Sequence, residues 1–233
     1  MKAGDSVGEY SVGIATRRRI YETAKRLFYE KGVKDTSYKD ICEAAEVNRG
    51  LIPYYFKSKG NIAAEVYEEL IENMVAAIKG EWGEEIVQAE ANIMIELLMF
   101  RLLASDERTC RFCSEIHGNE EYRKSTIAVQ RMVMEELVEG AGIDIAPATM
   151  DTVTFMAEGT ETELVQAIRY KLLREDIDEV VRRDVRCCYF LLDGDLEQVD
   201  QWCDRVFALA EGYTMVSDDQ FNCKVVKRSR KKR

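Results

Sequence analysis

The chain has 233 residues, enough for one large domain or two small ones with a substantial hydrophobic core. With 46% hydrophobic residues, 33% charged residues and only 2 prolines, its composition argues against a turn-rich all-β protein and favours a mostly helical one. The net charge of -10 is uneven: residues 1–60 hold 12 Lys/Arg against 8 Asp/Glu, whereas residues 61–223 hold 14 against 35. Overall acidity therefore does not exclude nucleic-acid binding by the amino-terminal end.

The sequence contains no apolar run that approaches the roughly 18 residues of a membrane span, and residues 1–15 lack the apolar stretch of a secretory signal. We therefore expect a cytoplasmic protein. The 7 cysteines stand at scattered spacings, which favours reduced thiols over a disulfide framework.

The first predicted helix follows a glycine- and serine-containing segment. Residues 1–15 show no sustained apolar period, which predicts a flexible arm. From about Thr16 to Lys31, apolar residues recur at helical spacing, and Gly32 provides a stop signal.

Two short helices and a long one come next. Thr36 or Ser37 is placed to cap a second helix of about ten residues, and Asn48 is placed to cap a third over residues 49–56. Ser58 is placed to cap a long fourth helix, which we expect to join the two parts of the chain directly.

The sequence also predicts helices in the rest of the chain. Glycine-containing breaks divide residues 84–216 into segments near 84–104, 107–117, 119–139, 147–173, 175–192 and 195–214. No stretch alternates apolar and polar residues as a half-buried strand would. The ten residues 224–233 carry 7 positive charges and no acid, which predicts a disordered basic tail within residues 217–233.

The order of helices over residues 17–56 suits a helix-turn-helix, which presents its second helix to the major groove of DNA. Short motifs sharpen this interpretation, and together they resemble the DNA-binding domain of the tetracycline-repressor (TetR) family over about residues 16–74. The motifs are Arg17-Arg18-Arg19-Ile20, Leu27-Phe28-Tyr29-Glu30-Lys31-Gly32, Asp40-Ile41-Cys42-Glu43-Ala44-Ala45, Val47-Asn48-Arg49-Gly50 and Tyr54-Tyr55-Phe56-Lys57-Ser58-Lys59.

The resemblance implies an all-α fold in which a three-helix DNA-binding domain is joined by a long helix to a carboxy-terminal effector-binding and dimerisation domain, here residues 75–216. It implies a homodimeric transcriptional regulator, usually a repressor, that releases a pseudo-palindromic double-stranded operator when a small effector binds. It implies neither an enzyme nor a cofactor.

The resemblance also implies which residues contact DNA, while the packing core follows from helical spacing. We expect that core to contain Ile20, Leu27, Phe28, Ile41, Ala45, Val47 and Phe56. The expected DNA-binding residues are Thr36, Ser37, Tyr38, Asn48, Arg49, Gly50, Leu51, Tyr54, Tyr55, Lys57 and Lys59.

Other interpretations of these residues stay open. Simple helix capping also explains the hydroxyl groups at the start of the second helix, and lysines are commonly just solvated. Four positions depart from the family pattern. Pro53 replaces an aromatic residue and predicts a bent or short recognition helix, and Tyr55 replaces a histidine. Glu46 stands at a turn position that is often glycine, and Gly60 stands where an acid is more common.

The carboxy-terminal region offers an apolar set as the lining of an effector pocket, although ordinary core packing explains the same pattern. The set is Met94, Leu98, Phe100, Phe112, Tyr122, Phe155 and Tyr170. The acidity of this region fits a cationic effector, and solubility explains it equally well. Apolar faces of the helices near 147–173 and 195–214 could pair across a two-fold axis or pack within one chain.

The alternative function is a thiol-based redox or metal sensor. Cys110, Cys113 and His117 fall close to one helical face. A zinc site normally needs a fourth ligand or water, and the sequence holds 1 histidine and no second Cys-x-x-Cys, so we expect no metal.

Overall fold

A computed structural model describes residues 5–120 and 122–228. Within these residues the protein is a helical assembly with one small antiparallel hairpin. Its elements, in chain order, are α1 (Asp5–Lys31), α2 (Tyr38–Ala45), α3 (Leu51–Phe56), α4 (Lys59–Trp82), a 3-10 turn (Gly83–Glu85), α5 (Gln88–Ser105), α6 (Glu107–His117), α7 (Arg123–Ala141), α8 (Pro147–Arg169), α9 (Ile177–Leu191), α10 (Leu196–Leu209), β1 (Tyr213–Ser217) and β2 (Cys223–Lys227). The predicted all-α class is confirmed.

Helix α1 begins earlier than the sequence indicated. Residues 5–15, predicted as part of a flexible arm, are helical and continuous with the expected helix up to Lys31. Glycine and serine weaken a helix without forbidding it, and the long helix that follows continues through them. Residues 1–4 of the predicted arm lie outside the described residues.

A hairpin at the carboxy-terminal end corrects the prediction of a disordered tail. Strands β1 and β2 pair antiparallel, with Tyr213 opposite Lys227 and Met215 opposite Val225. Met215 and Phe221 are completely buried, and the side-chain amide of Asn73 on α4 donates to the carbonyl of Phe221 at 3.2 Å. Both strands are short, and β2 carries Lys224 and Lys227. This charge favoured the prediction of a tail over a strand that buried residues hold against the helices. Residues 229–233 of the predicted tail lie outside the described residues.

The core is continuous between the two parts of the chain. Helix α4 leaves the helix-turn-helix region and packs against α5, α6 and the hairpin. Its buried residues recur at helical spacing, so one face is apolar along the whole helix. They include Ile62, Val66, Leu70, Met74, Ile78 and Trp82. Among the described residues, no helix combines the length and apolarity needed to cross a bilayer.

Candidate nucleic-acid interface and effector cavity

The three amino-terminal helices and α4 form a small core that fixes the angle between α2 and α3. Five of the residues predicted for this core are at most 2% exposed, and Leu27 and Val47 are partly buried against them. Ile52, which the sequence analysis did not include, is also fully buried. The buried residues hold the short α3 in place, since six residues alone would not form a stable helix.

The start of α2 is a capping box. The Ser37 hydroxyl accepts the amide hydrogen of Asp40 at 3.1 Å, and the amide of Ser37 donates to the Asp40 carboxylate at 2.7 Å. These bonds, together with the Lys31 ammonium 2.9 Å away, hold the pKa of Asp40 well below its usual value. Ser37 is exposed, and its N-cap position leaves the start of α2 open to an anion.

Thr36 does not lie on this open surface. It is 1% exposed, and its hydroxyl donates to the carbonyl of Gly32 at 2.6 Å. A hydroxyl predicted to hold a DNA phosphate thus closes the end of α1 instead, because a buried carbonyl needs a donor.

Tyr38 and Lys59 join the turn before α2 to the start of α4. The Tyr38 hydroxyl accepts the amide hydrogen of Lys59 at 2.9 Å. The Lys59 ammonium donates to the carbonyls of Val33 and Thr36, at 2.6 and 2.7 Å. The predicted phosphate clamp at Lys59 is therefore engaged with backbone carbonyls in this structure, where it fixes the turn between α1 and α2.

The recognition helix α3 starts two positions later than the sequence analysis placed it. Gly50 is its N-cap, and the carbonyl of Asn48, not its side chain, accepts the amide hydrogen of Leu51 at 3.0 Å. Pro53 then occupies the first turn, where amide groups have no partner within the helix. The proline ring normally clashes with the carbonyl group four residues earlier in a helix. Here that residue is Arg49, which lies before α3, so the clash does not arise. The helix is short, as predicted.

Four of the predicted DNA-binding side chains extend into solvent around α3. Asn48, Arg49 and Lys57 are exposed, and Tyr54 is 77% exposed. Tyr55 is half-buried and meets the Tyr54 ring edge-on, with the ring centroids 4.9 Å apart. Residues 47–60 contain three cations and no acid, so this end of the molecule presents a locally positive, partly aromatic surface.

The residues predicted to line an effector pocket do not come together. Met94, Leu98 and Phe112 are fully buried in the core, and Phe155 is 57% exposed on α8. Tyr122 and Tyr170 border an open polar groove next to α6 and α8. Only Phe100 reaches an enclosed cavity of about 70 Å³ among α4, α5, α7, α8 and α9.

The sequence analysis missed the polar wall of this cavity. Its lining includes Asn92, Glu96, Gln130, Glu161 and Asp184, besides aliphatic and aromatic side chains. Alternation alone could not reveal these residues, since acids on helices normally face solvent. A searchable signal exists: Asn92 and Glu96 stand four residues apart on the otherwise apolar helix α5.

His117, the single histidine, links α4 to acids on α8. His117 Nε2 is 3.0 Å from the Tyr67 hydroxyl on α4, and the imidazole is 3.7 Å from Glu158 and 3.8 Å from Glu161. Burial opposes protonation of the imidazole, but the bond to Glu158 and the charges of both acids outweigh it, so the pKa of His117 is raised.

The thiol-sensor alternative receives no support from the geometry. Cys110 and Cys113 are buried, and burial raises the pKa of Cys110 to about 11 and that of Cys113 well above its usual value. Such thiols are poor nucleophiles because the thiolate is the reactive form. Across residues 5–120 and 122–228, no group of three His, Cys, Asp or Glu side chains is arranged to hold a metal ion.

An amino-terminal helix-turn-helix on a larger helical body is an arrangement typical of DNA-binding proteins. Residues 20–66 match a family model described as "Bacterial regulatory proteins, tetR family". The amino-terminal part of the chain is therefore similar to the DNA-binding region of that family.

Curated relatives carry the same signature. The chain is 33% identical over 84 residues to the HTH-type transcriptional regulator AcrR of Shigella flexneri, covering 36% of this chain and 39% of AcrR. It is 29% identical over 136 residues to the HTH-type transcriptional regulator TtgR of Pseudomonas putida, covering 57% of this chain and 64% of TtgR. The matched region thus spans less than two thirds of either relative.

Solved structures share the fold over most of the chain. RolR in complex with resorcinol superposes with a TM-score of 0.62 at 17% identity, covering 84% of this chain and 96% of RolR. Thermus thermophilus FadR in complex with lauroyl-CoA superposes with a TM-score of 0.56 at 18% identity, covering 74% of this chain and 92% of FadR.

Proposed function

We propose that the protein is a ligand-responsive transcriptional regulator that binds a pseudo-palindromic DNA operator as a homodimer. Helices α2 and α3 of each subunit enter the major groove, and a small molecule in the carboxy-terminal cavity weakens this binding. The observation that carries the proposal is the exposed surface around α3, held in place by a buried core and free of acids over residues 47–60.

Each part of this surface has a role. Asn48 and Arg49, exposed just before α3, are placed to contact base edges, since recognition helices use their amino-terminal residues for this purpose. Tyr54 and Lys57 are placed to contact phosphates, and Ser37 offers the start of α2 to another phosphate. Thr36 and Lys59 position the turn between α1 and α2 and do not themselves contact DNA in this account.

A second copy of the chain is the proposed dimer partner. Large apolar side chains are exposed on α8, on α9 and in the connection between them, including Phe155, Met156, Leu172 and Phe190. Helix α10, the other predicted dimer helix, buries apolar residues such as Val206 against its own chain. Closed two-fold pairing would cover the exposed set and give each operator half-site one recognition helix.

Helix α6 is the proposed link between the ligand cavity and the DNA-binding region. At one end His117 contacts Tyr67 of α4, whose ring borders the cavity. Further along α6, Glu115 accepts the amide hydrogen of Lys34 at 2.9 Å, and Arg111 donates to the carbonyl of Tyr29 at 2.8 Å. A ligand that displaces α4 or α6 would therefore move the turn before α2. The ligands bound to RolR and FadR support a response to small molecules.

The test starts from a duplex that the wild-type protein selects from a random-sequence library. We expect the selected duplex to bind at least about a thousandfold more tightly than a scrambled one, with a steep inverse dependence on salt. Arg49→Ala should reduce affinity for the selected duplex by about tenfold or more, and Lys57→Ala should lower the salt slope by about one. Native mass spectrometry should find an even number of chains on each duplex.

Arg174→Ala is the matched control, because it removes an exposed cation far from α3 in sequence. It should leave affinity and salt slope unchanged. Failure to enrich any duplex, with equal weak binding to all sequences, would overturn the proposal.

A further inference from the structure

The cavity described above is walled by two kinds of side chain. Most of its surface is apolar, and Met99 and Met134 give that surface some adaptability, because methionine changes shape easily. The aliphatic part of the lining comprises Ile71, Ile93, Ile95, Val129, Val133, Leu137 and Val185. A cavity lined this way receives an apolar body of modest size.

The polar part of the wall has few partners within the protein. Seven buried side-chain polar atoms among the described residues have no hydrogen-bond partner, and four of them belong to residues that line this cavity. These are Asn92 Nδ2, the Tyr189 hydroxyl, Glu96 Oε1 and Asp184 Oδ1, and the two carboxyl groups have only each other as a partner. Asn92 is 8% exposed and Tyr189 is 1% exposed.

Such atoms need an explanation, because folded proteins satisfy the large majority of buried polar groups. A buried polar atom without a good partner costs desolvation free energy that an apolar side chain would avoid. Their concentration around one cavity indicates a surface completed by another molecule.

The charge of the wall indicates which kind of molecule. Glu96 on α5, Glu161 on α8 and Asp184 on α9 all border the cavity, and no Lys, Arg or His is among its described lining residues. Burial raises the pKa of Glu96 well above its usual value, raises that of Asp184, and raises that of Glu161 to about 7. A positive ligand group beside these acids would stabilise their ionised form.

We propose that this cavity binds a small organic cation, an amine whose ammonium group donates to the carboxylates of Glu96 and Asp184 while its apolar body packs among the aliphatic side chains. Three ammonium hydrogens can serve the two carboxylates and one further acceptor, for which the Tyr189 hydroxyl is placed. Hydrogen bonds between charged groups are roughly twice as strong as those between neutral ones.

Volume limits the size of the amine. A cavity of about 150 Å³ accepts benzene, so about 70 Å³ suits a compact aliphatic body, with the two methionines moving aside for a ring. Long-chain amines exceed this space.

This inference deepens the proposed function by naming the ligand class, and it rests on that function only for its effect on DNA. Binding of an amine is a property of the cavity alone. The regulatory effect follows from Glu161, which borders the cavity and lies 3.8 Å from His117, because a cation next to Glu161 weakens the attraction that holds the imidazole between α8 and Tyr67.

The experiment compares two matched pairs of probes, cyclohexylamine with cyclohexanol and isobutylamine with isobutanol. Each pair has nearly the same shape and differs in charge. Calorimetry and thermal unfolding at pH 8, with the full chain, should show that each amine binds at least about tenfold more tightly than its alcohol. In Glu96→Gln and in Asp184→Asn, tested separately, this preference should fall to about twofold or less.

Glu179→Gln is the control, since it removes an exposed acid from the same helix as Asp184. It should keep the full preference for amines. Equal affinity for amine and alcohol, or no binding of either, would overturn the inference, and so would an unchanged preference in both cavity variants. Amine binding without any change in affinity for the selected duplex would support the cation site and contradict the ligand response in the proposed function.

Discussion

Buried polar groups are treated differently in the two regions of this chain. In the helix-turn-helix region, Lys25 is 2% exposed and its ammonium lies 3.0 Å from Glu69, while the buried Thr36 hydroxyl bonds to Gly32. Around the carboxy-terminal cavity, Asn92 and Tyr189 are as deeply buried but leave polar atoms unpaired. The first region pairs its buried polar groups internally, and the second leaves polar atoms at the wall of its cavity. This is the division that the proposed function predicts between a rigid DNA-binding surface and a ligand site.

Ionisable groups show the same division. Hydrogen bonds from Ser37 hold the pKa of Asp40 low, so that this carboxylate is ionised and satisfied. Burial raises the pKa of Glu161 to about 7, so that this acid resists ionisation. The two groups therefore make stability depend on pH with opposite signs.

The largest expected effect tests this difference in sign. Glu161 ionises near pH 4.5 when unfolded and near 7 when folded, so the folded state binds more protons between these values and stability falls as pH rises through them. The raised pKa of His117 acts in the same direction. Denaturant unfolding should show the free energy of unfolding falling between pH 5 and 8, with Glu161 contributing up to about 3 kcal/mol.

Glu161→Gln should flatten this fall, because glutamine does not ionise. Glu179→Gln, which changes an exposed acid, should keep the wild-type slope. The lowered pKa of Asp40 gives the opposite sign, with stability present above about pH 4 and lost in acid, and Asp40→Asn should reduce that acid loss. Identical slopes for the wild type and Glu161→Gln would contradict the assignment of a strained acid to the cavity.

The helix-turn-helix was predictable because local signals determine it. The spacing of Ile20, Phe28 and Ile41 set the buried face, and Gly32 marked the end of α1 as expected. The sequence did not distinguish the orientations of two neighbouring hydroxyl groups in this region. Thr36 and Ser37 are adjacent with similar side chains, and only the packing of the turn decides that one points inward and the other caps α2.

The cavity was not predictable because it depends on five helices that are distant in sequence. Phe112 and Phe155 look alike as candidates, yet one is in the core and the other faces solvent. In the sequence, Glu96 and Asp184 are indistinguishable from the many acids that contribute to the net charge. Their meeting is a consequence of tertiary packing, which local periodicity does not encode.

We expect a smaller effect on the free energy of unfolding when a hydroxyl group with a hydrogen-bond partner and one without a partner are removed in turn. Thr36→Val removes the donor to Gly32 and should lower the free energy of unfolding by about 1–3 kcal/mol, since a buried carbonyl loses its partner. Tyr189→Phe removes a hydroxyl that has no partner and should leave stability within about 0.5 kcal/mol of the wild type or raise it. Urea unfolding measures both, and a larger loss in Tyr189→Phe than in Thr36→Val would reverse the comparison between the regions.

The smallest effect concerns strain within the otherwise well-satisfied reading region. Glu46 ends α2 with φ 52 and ψ 49, the left-handed conformation that glycine adopts without a steric penalty. Glu46→Gly should therefore raise the free energy of unfolding by up to about 1 kcal/mol, because the relief of strain exceeds the extra backbone entropy that glycine loses. Glu43→Gly, within α2 and likewise exposed, should lower it by about 0.5–1 kcal/mol. Both changes remove the same charge from the same surface, and the exposed ion pair of Glu43 with Lys39, 3.6 Å apart, contributes only about 0.3–0.5 kcal/mol, so opposite signs arise mainly from backbone conformation. Equal losses of stability in the two variants would contradict the strain assigned to Glu46.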